Sequence, residues 1–160
     1  MIVNTSEKYN SILLKSDIIA LSEKYPFLQT SIIGYSVLKS PIYCIKVGHG
    51  SNKILYCAAT HGNEWITSTL LMKFLENLCI SYTNNSSLYG YNIKELLSKV
   101  TFYIVPMVNP DGVDLVNNLI VDSNAKYIAS NYQEIPFPSG WKANINGVDL
   151  KNYQPICKVL

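Results

Sequence analysis

The sequence predicts an α/β fold in which a mixed, mainly parallel sheet carries helices on both faces. Two segments, KILYCAAT at 53–60 and VTFYIVPMV at 100–108, place β-branched and aromatic residues on both strand faces, the pattern of strands buried from two sides. Between them, Trp65, Ile66, Leu70, Leu71, Phe74, Leu75 and Leu78 form a wide apolar stripe at helical spacing over residues 64–80. Strand, helix, strand in that order implies a parallel pair joined by a right-handed crossover. A length of 160 residues and 48% hydrophobic content are sized for one domain, spanning 1–160.

The elements follow in order. Ile12, Leu13, Ile18, Ile19 and Leu21 predict a leading helix over 8–24, which the Tyr25-Pro26 step ends. TSIIGYSV (30–37) and PIYCIKVG (41–48) read as strands joined by a short turn, hence a hairpin. The segment 53–60 is then a central strand covered from each side, and 64–80 the helix that follows it. The polar TNNSS leads to a short helix around Ile93–Leu97 and a second central strand at 100–108, stopped by NPDG. Residues 114–140 are polar and proline-bearing, with one short helix expected at 125–130.

Composition excludes several function classes. A net charge of +2, with lysines and acids interspersed, provides no basic stripe for a nucleic-acid backbone. No apolar run approaches the ~20 residues that cross a bilayer, and MIVNTSEKYN lacks the basic and apolar regions of a signal peptide, so a soluble, cytoplasmic protein is expected. Cys44, Cys57, Cys79 and Cys157 show no CxxC spacing and are expected as reduced thiols rather than a zinc knuckle or disulfide frame.

Three motifs carry chemistry. His61 and Glu64 sit where the 53–60 strand meets the following helix, the end of an open α/β sheet at which ligands bind. An imidazole and a carboxylate three residues apart suit zinc, with Gly62 allowing the chain to turn between them. The same pair also fits a helix-dipole carboxylate beside a hydrogen-bonded turn histidine. NPDG, Asn109–Gly112, is turn chemistry in its own right. In WKANINGVDL, Asp149 lies in apolar surroundings, where a carboxylate finds a partner, either as a cap or as part of a site.

Taken together, THGNEW, VNPDGVDL and WKANINGVDL resemble the zinc carboxypeptidase family, and within it the bacterial γ-D-glutamyl-L-diamino acid endopeptidases that trim cell-wall peptides. The similarity runs from about Ile33 onward. It implies a carboxypeptidase-like fold, zinc as cofactor, a peptide as substrate and metal-assisted hydrolysis of an amide bond. By the resemblance, His61 and Glu64 match the first two zinc ligands. Asp149 matches the acid that holds the first histidine, fixing its tautomer and raising its basicity.

The resemblance also marks departures. The family's third ligand is a histidine downstream of GVDL, and its general-base glutamate lies further on; neither appears before Leu160. The other histidine, His49 in VGHGSN, reads as an exposed turn between strands. Where carboxypeptidases keep an oxyanion-stabilising arginine after WKAN, this chain has Ile145 and Asn146. Their Asn-Arg-Asn after GVDL, which grips a terminal carboxylate, is replaced by Lys151, Asn152 and Tyr153. The expectation is therefore the amino-terminal half of a zinc peptidase, its site and fold completed by a second chain or further polypeptide. The alternatives are a catalytically inactive remnant and a peptide-binding module.

Overall fold

The computed structural model describes residues 1–120 and 136–153. Helix α1, Ser11–Lys24, starts where the Asn10 side chain accepts the Leu13 N–H at 2.9 Å, and buries Leu14, Ile18 and Leu21. Strands β1 (Gln29–Tyr35) and β2 (Pro41–Gly48) form the expected antiparallel hairpin. Strand β3 is Asn52–Cys57, followed by a 3-10 turn at Gly62–Glu64 and helix α2, Trp65–Thr83. A small hairpin of β4 (Ser87–Leu88) and β5 (Tyr91–Asn92), which the sequence pattern does not announce, precedes helix α3, Ile93–Lys99. Strand β6, Val100–Val105, leads to helix α4, Pro110–Val116.

The sheet order is β1-β2-β6-β3, with β3 parallel to β6 and the other two pairings antiparallel. The sheet is mixed as expected, but among the described strands the parallel pairing expected to dominate it is confined to the β3–β6 crossover pair around α2 and α3. The main core lies on the face that carries Ile45, Val47, Phe102 and Ile104, against Leu21, Met72, Leu75, Leu78 and Leu97 from the helices. Met72 and Leu75 are wholly buried, so α2 is the central pillar of this core. A second, smaller core gathers Leu115 and Val116 of α4 with Trp141, Ala143 and Ile145, and Trp65 packs against both.

Two expectations require correction. Among the described residues β3 is an edge strand rather than a central one: it pairs with β6 alone, and Tyr56 and Cys57 are exposed. A run that is apolar on both faces records what the strand is made to contact, which is a different property from what covers it here. The second concerns 109–116, read as a turn entering a polar stretch. Asn109 instead caps α4, with Pro110 at the first helical turn, and the helix is buried along its whole length. The helix expected at 125–130 lies outside the described residues.

Candidate functional site

The parallel pair delivers the site. Beyond the last ladder residues, the Ala58 N–H donates to Val105 O, Val108 N–H to Ala58 O and Asn109 N–H to Ala59 O, each at 3.0 Å. These bonds carry the two chains side by side past the carboxyl ends of β3 and β6. Ala59 then adopts a left-handed φ of 45°, and its N–H donates to Thr67 Oγ1 at 2.9 Å, which turns the chain away from the sheet and into the His61 turn.

The turn is packed against α4 main chain to main chain. A Cβ on Gly62 would lie 2.6 Å from Gly112 O, and one on Gly112 would lie 2.5 Å from Asn109 Nδ2 and 2.7 Å from Ala143 O. Only glycine fits at either position. From the other side the 141–149 segment straps the turn down: the Gly62 N–H donates to Lys142 O at 3.2 Å and the Asn63 N–H to Trp141 O at 2.9 Å. The three sequence motifs are thus three walls of one junction.

Within it, His61 Nδ1 lies 2.9 Å from Glu64 Oε1, and His61 Nε2 lies 3.4 Å from Asp149 Oδ1. The imidazole is therefore held between two carboxylates, one on each ring nitrogen. Nε2 is buried yet has no aligned hydrogen-bond partner, its distance to Asp149 being ion-pair reach without bond geometry. Glu64, by contrast, is half exposed, so the Nδ1–Oε1 side of the ring opens to solvent.

Asp149 is brought to this position by a turn that Asn144 builds. The Asn144 side-chain oxygen accepts the Asn146 and Val148 N–H groups, both at 3.0 Å, and Gly147 completes the reversal with φ of 78°. Asp149 Oδ1 also accepts the Lys151 N–H at 2.9 Å. Ile145 points into the small core, so the position next to Asn146 is spent on packing.

Zinc suits this donor set. Nitrogen and oxygen ligands of a tetrahedral zinc stand about 3.3 Å apart, given metal–ligand bonds of ~2.0–2.2 Å, and the His61 Nδ1–Glu64 Oε1 separation of 2.9 Å is close to that. The orphaned Nε2 facing a carboxylate is the arrangement that orients a ligating imidazole. No cluster of three or more His, Cys, Asp or Glu side chains suited to a metal occurs among the described residues, so the pair supplies part of a coordination sphere. His49 is not near: it follows β2 and precedes β3, at the opposite end of that strand, with its N–H donating to Leu97 O.

The profile of the zinc carboxypeptidase family matches residues 14–155. The chain belongs to the zinc carboxypeptidase family. Gamma-D-glutamyl-L-diamino acid endopeptidase 1 of Lysinibacillus sphaericus is 45% identical over 157 residues, covering 96% of this chain and 39% of that protein. Carboxypeptidase E of Caenorhabditis elegans is 30% identical over 155 residues, 92% of this chain and 29% of its own length. This zinc carboxypeptidase family chain thus spans well under half the length of these relatives. Among solved structures, bovine thrombin-activatable fibrinolysis inhibitor in complex with tick carboxypeptidase inhibitor superposes with a TM-score of 0.64 at 24% identity, over 88% of this chain and 38% of that one, a likeness of fold.

The sequence singles out His61, Glu64 and Asp149, and the structure sets both carboxylates against the His61 ring. Sequence reasoning missed Asn109 and Gly112, which it read as ordinary turn residues, and Asn144, to which it gave no role. Their work is done on backbone groups, and side-chain chemistry in the sequence carries no sign of it.

Proposed function

We propose that this chain carries the first part of a zinc peptidase site, with His61 and Glu64 as metal ligands and Asp149 as the group that orients His61. The observation that supports this most is the imidazole bracketed by two carboxylates, 2.9 Å on the Nδ1 side and 3.4 Å on the Nε2 side. Glu64 is placed by the 3-10 turn at the head of α2, and Thr67 Oγ1 fixes its backbone by donating to Glu64 O at 2.7 Å. Asp149 accepts from the ring when Nε2 carries the proton, which leaves the Nδ1 lone pair directed toward the open side of the turn. Zinc bound there supplies a Lewis acid for an amide carbonyl and lowers the pKa of water.

The substrate we infer is a peptide with a γ-D-glutamyl-diamino acid bond, supported by the 45% identity to the Lysinibacillus endopeptidase. Lys151, Asn152 and Tyr153 stand where carboxypeptidases carry the Asn-Arg-Asn that grips a terminal carboxylate, which supports a non-terminal bond over a terminal one. The one histidine besides His61 is His49, at the opposite end of β3, so the third ligand, a second imidazole, would come from further polypeptide, continuous with this chain or from a second one. An inactive remnant is the second reading, favoured by the absence of a three-ligand cluster among the described residues.

Calorimetric zinc titration of the chain beside its His61→Ala variant tests the site. One-to-one binding lost on substitution supports it; binding that is unchanged by the substitution overturns it. Zinc-dependent release of diamino acid from a γ-D-glutamyl-diaminopimelate peptide then separates the two readings.

A further inference from the structure

Asn109 has no assigned role, yet every polar group it owns is engaged at the junction of the three motifs. It is 2% exposed. Its N–H donates to Ala59 O at 3.0 Å and its carbonyl accepts the Val113 N–H at 3.1 Å. Its side-chain oxygen accepts the Gly112 N–H at 3.0 Å, while Nδ2 donates to Ala143 O at 3.0 Å and reaches Thr60 O at 3.3 Å, with Lys142 O at 3.5 Å. The amide can face only one way: reversed, it would set an NH₂ against an N–H and its oxygen against three carbonyls.

Thr60 precedes His61 directly, and Ala143 begins the stretch that turns at Asn144 and delivers Asp149. One amide therefore bonds the strand that carries the histidine to the segment that carries its carboxylate. We propose that Asn109 is the positioning residue that holds His61 and Asp149 in register across the junction. An ionised Asp keeps the acceptor without a donor, Ser offers one O–H where the amide offers two N–H groups, and Gln sets its amide one methylene further from the Gly112 N–H. Breaking the bond leaves buried carbonyls without partners and frees the 141–149 segment to move relative to the turn. A metal site whose orienting carboxylate drifts loses affinity, typically by 10–100-fold.

The inference rests on the proposed zinc site only for its second readout. Asn109→Asp keeps the acceptor for the Gly112 N–H and removes the donor; Asp114→Asn, in the same helix but bonded to Ser11 rather than to the junction, is the comparison for general loosening. In metal-free protein, the His61 ring nitrogen resonances are followed by NMR, and zinc affinity is then measured by competition with a chromophoric chelator.

The expected result is that Asn109→Asp shifts the His61 resonances and weakens zinc binding about ten-fold or more, while Asp114→Asn changes neither. Resonances and affinity of the wild type in a folded Asn109→Asp overturn the proposal, as do equal changes in both variants. If the wild type binds no zinc but the resonances still move, the zinc reading fails and the positioning role stands. Should Asn109→Asp unfold, Asn109→Ser, which retains a single donor, is read by the same criteria.

Discussion

At the residue scale, the site owes its shape to close approach of main chains more than to side-chain packing. Gly62→Ala drives a methyl carbon to 2.6 Å from Gly112 O, and neither backbone can give without tearing the Gly62–Lys142 and Asn63–Trp141 bonds. The expected loss is about 1–3 kcal/mol in a urea unfolding series, with zinc affinity falling alongside. Asp149→Asn retains the size of the group but not its charge, and zinc affinity is expected to drop 10–100-fold with little change in the urea midpoint, since Asp149 is partly exposed. His61, Glu64 and Asp149 were legible as candidates because THGNEW, VNPDGVDL and WKANINGVDL occur together in that order, each pattern alone being equally turn or cap chemistry. Asn109 was not, because its partners are carbonyls of Thr60 and Ala143, and any residue supplies a carbonyl.

At the scale of elements, α2 is the member on which the rest depends, and periodicity gave part of its inward face: Leu75 and Leu78 are buried and Trp65, Leu71 and Phe74 partly so, whereas Ile66 and Leu70 are exposed and Met72, outside the predicted stripe, is wholly buried. Leu75 is wholly buried in it, so Leu75→Ala is expected to cost about 2–5 kcal/mol by calorimetric unfolding. The same helix anchors the amino-terminal segment through Glu76, also wholly buried, which accepts the Ile2 N–H and pairs with Lys73 at 2.6 Å. Burial pushes the Glu76 carboxyl up, but the Ile2 N–H, the Lys73 bond and charge and the Val3 N–H together outweigh it and hold the group below its ordinary range. A depressed folded-state value stabilises above the unfolded value and is lost as pH falls through the folded one. The stability difference between wild type and Glu76→Gln should therefore be full at neutral pH and shrink on acidification. Asp114 runs the opposite way: burial raises it, more than the Ser11 bonds lower it, so its contribution is greatest in acid and fades as pH rises. Measuring each variant against wild type across pH isolates the two slopes. No periodicity could have revealed Glu76, because a glutamate on an apolar stripe looks like an interruption until its partners at the chain start are seen.

At the scale of the whole molecule, the described sheet ends on β3, a strand paired along one side alone. An apolar groove lined by Tyr56, Leu70, Leu71, Phe74 and Tyr89 runs along β3 and α2, and Leu70 is 70% exposed. Such an edge beside such a groove invites contact with other polypeptide. The isolated chain is expected to self-associate with rising concentration, and Leu70→Lys to suppress this in sedimentation velocity without lowering the unfolding midpoint. The sequence pattern marked Tyr56, Leu70, Leu71 and Phe74 for burial, and Tyr56 and Leu70 are exposed because periodicity records apolar character and not what covers it. The placing of the two tryptophans has a separate use. Trp141 sits in the small core and Trp65 straddles both, so neither indole lies in the body of the main one. Emission excited at the indole band will report whether the junction has closed, whereas the far-ultraviolet signal of α1 and α2 reports the larger body, and a stopped-flow comparison of the two would time the assembly of the site against that of the scaffold beneath it.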